Sequence, residues 1–139
     1  KNKVDIIYID NAVSAHLKAC DALSVGNPLA GKVYFVSDAE PVKLWDWIND
    51  LLIKTQRPPV SRSISYKAAS KLGHLLEGIY SFFRIKKEPP MTRFMASQLA
   101  TSHYFNISRA INDFGYEPVV SSEEGMKRLI QSLSVPQEY

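Results

Sequence analysis

The sequence has one cysteine, Cys20, so it holds no internal disulfide framework; a chain of this kind fits a reducing compartment. No stretch approaches the roughly 20 apolar residues that a membrane-spanning helix needs. No secretory leader is visible, since the opening Val4–Ile9 run is short and passes straight into polar residues. The six glycines are dispersed, and none forms the G-x-G-x-x-G turn that cradles a dinucleotide pyrophosphate. His16, His74 and His103 stand singly and lack metal-ligand spacing, which predicts no metal site. No serine sits in G-x-S-x-G. No tyrosine is followed four residues later by lysine, so the Tyr/Lys pair that many alcohol and ketone reductases use as proton donor is missing. The residues therefore offer no catalytic group and no cofactor-binding group.

What is present is a composition of 45% hydrophobic and 22% charged residues over 139, enough for one folded unit. The net charge of +3 is unevenly spread. Residues 54–93 hold nine basic and two acidic residues, net +7, while the segments on either side are each net −2. Such a concentration points to a local anionic partner. It is not a nucleic-acid platform: the tryptophans, Trp45 and Trp47, lie on a helix made acidic by Asp46 and Asp50. Trp45 is expected in the core and Trp47 at a partly exposed position.

The chain opens as an α/β pattern. Val4–Ile9 reads as a strand buried on both faces, and Asp10 and Asn11 as caps of the helix that follows. That helix presents Ala12, Ala15, Ala19, Ala22 and Leu23 on a small apolar face, with Cys20 as a core thiol, and is expected to break at Gly26-Asn27-Pro28. Val33–Val36 reads as a second strand. A helix starting at Pro41 and ending near Gln56 should follow. The Gly26…Gly31-Lys32 spacing matches a phosphate loop, but Val33 replaces the metal-binding hydroxyl. The turn also opens a strand where a phosphate loop opens a helix.

Tyr66–Phe83 is an amphipathic helix, with Ala68, Ala69, Leu72, Leu75, Leu76, Ile79, Tyr80 and Phe83 on one stripe and Lys67 and Lys71 opposite. It can pack on a sheet, line an apolar pocket, or lie on an anionic membrane with its cations at headgroup level. Shorter helices are expected over Thr92–Ala100, after a Ser108 cap up to Gly115, and from Ser121 or Ser122 onward. A short strand is expected at Tyr104–Ile107.

Several of these segments, in order, resemble the extended short-chain dehydrogenases, and most closely their 3β-hydroxysteroid dehydrogenase/isomerase branch. They are Val4–Leu17, Gly31–Asp38, Pro90–Phe94, Tyr104–Ala110, Phe114–Pro118 and Ser121–Gly125. The resemblance implies the C-terminal, substrate-side part of a Rossmann-type enzyme: few short strands with about six helices over residues 1–139. It also implies that the N-terminal half, which carries the NAD or NADP loop and the Tyr/Lys pair, is absent from this chain. On that expectation the parent exchanges a hydride between a nicotinamide and a secondary alcohol or ketone of a bulky hydrophobic substrate, steroid-like or long-chain 3-oxoacyl. The chain alone would bind no cofactor and be inactive. The expected substrate contacts are Tyr80, Met91, Arg93 and Phe94, with Arg93 suited either to an anionic substrate or cofactor group or to a surface salt bridge. The expected setting is cytoplasmic with peripheral membrane contact through 66–87. Two rival readings are a nucleotide-sugar epimerase or reductase of the wider fold and a non-catalytic membrane-surface domain.

Overall fold

A computed structural model describes residues 2–24 and 28–134. The sequence expectations for Gly26 and Asn27 lie outside the described residues. The elements in order are β1 (Lys3–Val4), α1 (Ile9–Ala22), β2 (Val42–Lys43), α2 (Leu44–Lys54), α3 (Tyr66–Phe82), α4 (Arg93–Ala100), α5 (Ser108–Phe114) and α6 (Ser122–Ser134). Among the described residues the architecture is mostly helical, six helices around a small two-stranded sheet, which is compatible with the α/β expectation.

The strands are shorter than their apolar runs suggest, because a strand needs a neighbour to pair with. β1 and β2 pair antiparallel, Val4 opposite Val42, and Val4 also makes a single parallel bridge to His103. Beyond Val4 the chain forms no ladder before α1. Ile7 and Ile9 are exposed, so the run is not buried on both faces. Residues 33–36 likewise form no strand: Tyr34 and Val36 pack against the core while Val33 and Phe35 are exposed. Tyr104–Ile107 forms no strand either. Its contact with 33–36 is through side chains, the Phe35 and Phe105 rings stacking 4.1 Å apart.

α1 begins at least two residues earlier than expected, with Tyr8 at the cap position, so Asp10 and Asn11 lie inside its first turn and do not cap it. The cap-like role passes to Asp38, whose carboxylate accepts the Tyr8 N–H at 3.0 and 3.2 Å. A negative charge there also suits the positive end of the helix. Asp10 instead pairs with Arg128 of α6 at 3.0 Å. Ala15 faces the core, but Leu23 and Cys20 are exposed, so Cys20 is a surface thiol rather than a core one. Lys32 meets Asp113 at 3.0 Å and leads into an extended segment, so it opens no phosphate loop.

The main core lies under α1 and α5. Ala15, Ile107, Ala110 and Tyr116 are buried, with Tyr34, Val36 and Phe114 packed around them. Tyr116 is fully buried and donates its hydroxyl to the Ser37 carbonyl at 2.8 Å. Gly115 closes α5 in the left-handed conformation, at φ 67°, where a side chain would be strained. Ser108 is the first residue of α5 rather than its cap; Asn106 Oδ1 accepts the Ser108 N–H at 2.8 Å. Pro41 precedes β2, and α2 starts three residues later than expected, at Leu44.

α3 packs against α4 through Ala69 and Gly73, not through its leucine stripe. Gly73 is required there. A Cβ at that position would lie 2.6 Å from the Thr92 carbonyl carbon and 2.7 Å from the Arg93 nitrogen. This close approach uses the small residues of α3 as its buried face, and it leaves Leu72, Leu75, Ile79 and Phe82 exposed.

Candidate functional site

The most ligand-like concavity is a groove of about 460 Å³ between α2, α3, α4 and the loop joining α2 to α3. Its size falls within the range of small-molecule sites. Trp45 from α2, Ile64 from the loop, Tyr66 and Ala69 from α3, and Ala96 and Leu99 from α4 supply its apolar walls. Asn2, Met91 and Ala100 complete the lining, with Val60 and the polar run Ser61–Arg62–Ser63 along the loop side.

Side chains hold the walls in place by reaching backbone on neighbouring elements. Trp45 donates its indole N–H to the Leu99 carbonyl at 3.2 Å, tying α2 to the end of α4. Asn49 grips Val60 from both sides, accepting its N–H at 2.8 Å and donating to its carbonyl at 3.4 Å. The Asn2 amide donates to the Thr101 carbonyl at 3.2 Å. A loop with two prolines, Pro58 and Pro59, is thereby held against a helix as a fixed wall. Ala69 of α3 and Ala96 of α4, both buried, belong to this lining.

The expected substrate residues do not all meet here. Met91 lines the groove. Tyr80 lies instead beside a shallow hollow next to residues 84–89, and Phe94 is 71% exposed. Arg93 is engaged by Glu77: its backbone N–H and its Nε each donate to that carboxylate at 2.7 Å. Those two bonds, the backbone one first, hold the Glu77 carboxyl below the usual glutamate range. The salt-bridge alternative for Arg93 is thus the arrangement seen. Trp45, taken from the sequence as core, is only half-buried because one side of it forms the groove wall. The remaining lining was missed. The apolar spacing Ala96, Leu99, Ala100 on α4 was available as a signal, but the loop residues Val60–Ile64 carry no periodicity that would mark them.

A second hollow, about 540 Å³, is lined by Lys54, Ser121, Glu123, Glu124, Lys127, Ile130 and Gln131. Its charged rim suits no apolar ligand, and Glu124 is already committed to Arg128 at 2.9 Å. At Tyr34, partial burial, followed by its hydrogen bond to Asp113 and that carboxylate's charge, pushes the phenol up to about 12. A phenol held there stays protonated at neutral pH and buttresses Asp113. Among the described residues no three His, Cys, Asp or Glu side chains are grouped to hold a metal ion. Gly31, in the left-handed conformation, is followed by chain that forms no helix, so its turn offers no helix N-terminus to a pyrophosphate.

Sequence comparison gives the class first. The chain is 46% identical over 128 residues to a 2-alkyl-3-oxoalkanoate reductase of Stenotrophomonas maltophilia (strain K279a), covering 92% of this chain and 39% of the relative. It is 47% identical to the reductase of the same name from Shewanella oneidensis, covering 94% of this chain and 34% of the relative. It is 34% identical to the decarboxylating sterol-4-alpha-carboxylate 3-dehydrogenase erg26 of Schizosaccharomyces pombe, covering 93% and 38%. These relatives are oxidoreductases, and the chain spans about two-fifths or less of their length. Residues 1–67 match the model of the 3-beta hydroxysteroid dehydrogenase/isomerase family. The chain therefore belongs to the 3β-hydroxysteroid dehydrogenase-like branch of the short-chain dehydrogenases. No solved structure matches it at a significant level.

Proposed function

We propose that this chain is the substrate-binding region of an NAD(P)-dependent reductase acting on a ketone or secondary alcohol of a bulky hydrophobic substrate. The observation that carries the reading is the apolar groove walled by Trp45, Ile64, Ala69, Ala96 and Leu99. Two of the relatives are named for a branched 3-oxoalkanoate and one for a sterol carboxylate. Both substrate types join a large apolar body to a carboxylate near the reacting carbon. The groove offers the matching pair of features, apolar walls with Arg62 on the loop side.

On this reading the chain's residues bind and orient while the cofactor accepts or delivers the hydride. The nucleotide-binding half lies in the part of the relatives' length that this chain does not cover. An exposed row on α1, Ile9, Val13 and Leu17, supports a face built to be covered by that half. The nucleotide-sugar reading would call for more polar and cationic groups around the ligand than these walls provide.

The test is a chimaera in which this chain replaces the matched region of the Stenotrophomonas reductase. It should retain NADPH-dependent reduction of a long-chain 2-alkyl-3-oxoalkanoate. Ala100→Phe places bulk into the groove from an exposed helix position, and should raise KM roughly tenfold while the protein stays folded. An active chimaera whose KM ignores Ala100→Phe would remove the groove from substrate binding.

A further inference from the structure

Among the described residues, Arg62 is the one charged side chain, of either sign, that lines the groove between α2, α3 and α4. Other cations of these helices are already committed, Lys54 to Asp50 and Arg93 to Glu77. Arg62 enters no ion pair within the described residues. An unmatched guanidinium in a lining that also holds Trp45, Ala69, Ala96 and Leu99 offers a fork of N–H donors to a planar anion carried on an apolar body.

The loop that carries Arg62 is pinned on both sides of it. Two residues before, Val60 exchanges hydrogen bonds of 2.8 and 3.4 Å with the Asn49 side chain. Three residues after, Ser65 caps α3, its hydroxyl accepting the Ala68 N–H at 3.3 Å. Only Ser61–Ile64 lie between these anchors, and every one of them lines the groove. A short span held at both ends loses little freedom when a ligand orders it.

The electrostatic surroundings agree. Tyr66, the first residue of α3, also lines the groove, so the positive end of that 17-residue helix opens beside the loop. No acidic residue stands in the first turn of α3 to offset it. Ser61 and Ser63 flank Arg62 with hydroxyl donors. A ligand seated against the apolar walls would cover the exposed guanidinium, and an ion pair shielded from water is stronger than one on open surface.

We propose that Arg62 is the carboxylate-selecting residue of the groove: its guanidinium pairs with the substrate carboxylate while the apolar body lies against Trp45, Ala69, Ala96 and Leu99. The proposal rests on the reading of this groove as the substrate site and goes beyond it by fixing which end of the ligand meets the loop. Arg93, the arginine that the sequence marks for an anionic group, is held by Glu77 and does not line the groove.

The experiment is calorimetric titration of the chain at neutral pH with a medium-chain 2-alkyl-3-hydroxyalkanoic acid and with its primary amide, both below the concentration at which they aggregate. The amide keeps the shape and loses the charge. The acid should bind roughly tenfold or more tightly than the amide. Arg62→Gln should remove that preference by weakening the acid alone, with amide binding and helical circular dichroism unchanged. Arg62→Lys should keep part of the preference, since lysine retains the charge without the two-pronged geometry. Equal binding of acid and amide to the native chain, or a preference that survives Arg62→Gln, would overturn the role of Arg62 and leave the groove as the substrate site. Binding of neither ligand would overturn the groove reading and this proposal with it.

Discussion

Asn11 joins three stretches of chain through one buried amide. Its Nδ2 donates to Asp38 Oδ1 at 2.7 Å and to the Val120 carbonyl at 2.8 Å, and its Oδ1 accepts the N–H groups of Val119 and Val120 at 2.7 and 2.8 Å. An amide is needed, because a carboxylate at Asn11 would face the Asp38 carboxylate and an aliphatic side chain would remove all four hydrogen bonds, including the buried ones to Val120. The glycines of α3 show how much residue identity depends on surroundings that the sequence does not display. Both Gly73 and Gly78 lie mid-helix, where alanine is ordinarily favoured by ~1 kcal/mol. At Gly78 a Cβ meets nothing within 4 Å, so Gly78→Ala should raise stability by up to about 1 kcal/mol. At Gly73 the same methyl strikes the Thr92–Arg93 backbone, which cannot rotate away, so Gly73→Ala should cost roughly 1–3 kcal/mol. Thermal melts of the two variants should therefore move in opposite directions. A shared direction would mean that the close α3–α4 approach is absent in solution.

The helices were more legible than the strands. α3, α4 and α6 appear within a residue or two of their sequence bounds, because periodic apolar residues and the caps Ser65, Thr92 and Ser121 act locally. Val4–Ile9 and Val33–Val36 fail as strands because pairing depends on neighbours outside their own sequence. The buried face of α3 was misread for a related reason. Hydrophobicity marks Leu72 and Leu75, but close packing chose the small residues Ala69 and Gly73. Of the groove lining the sequence marked only Met91 as a contact, and Trp45 only as core, since the walls converge from four separated segments.

The α3–α4 joint also has a pH dependence of definite sign. Arg93 holds the Glu77 carboxyl below the usual range, so the folded state binds that proton less readily than the unfolded chain does. The resulting stabilisation is present above the ordinary glutamate pKa and is lost as pH falls through the depressed folded value. The melting-temperature gap between the native chain and Glu77→Gln should therefore be present at neutral pH and close as the solution is acidified below that range. A gap that persisted in strong acid would show that Glu77 acts by shape rather than charge.

For the whole molecule, the buried core and the groove lie among different elements. The Tyr116–Ala15–Ile107 core holds α1, α5 and the 33–38 segment together, and the polar contacts of Asn11 and Asp38 tie the 119–120 link to it. The candidate groove is framed by α2, α3, α4 and the loop between α2 and α3. Of the cations in 54–93 Arg62 lines the groove, and neither Phe82 nor Phe83 does.

The most direct measurement is a nitrogen-15 NMR titration of the chain with a long-chain 2-alkyl-3-hydroxyalkanoic acid, the reduced form, which does not undergo the decarboxylation open to a 3-oxo acid. Saturable shifts should gather at the Trp45 indole N–H, Ile64, Ala69, Met91, Ala96 and Leu99. Shifts confined to the hollow beside Ile9, Gly125 and Met126, or none that saturate, would contradict a substrate site between α2, α3 and α4.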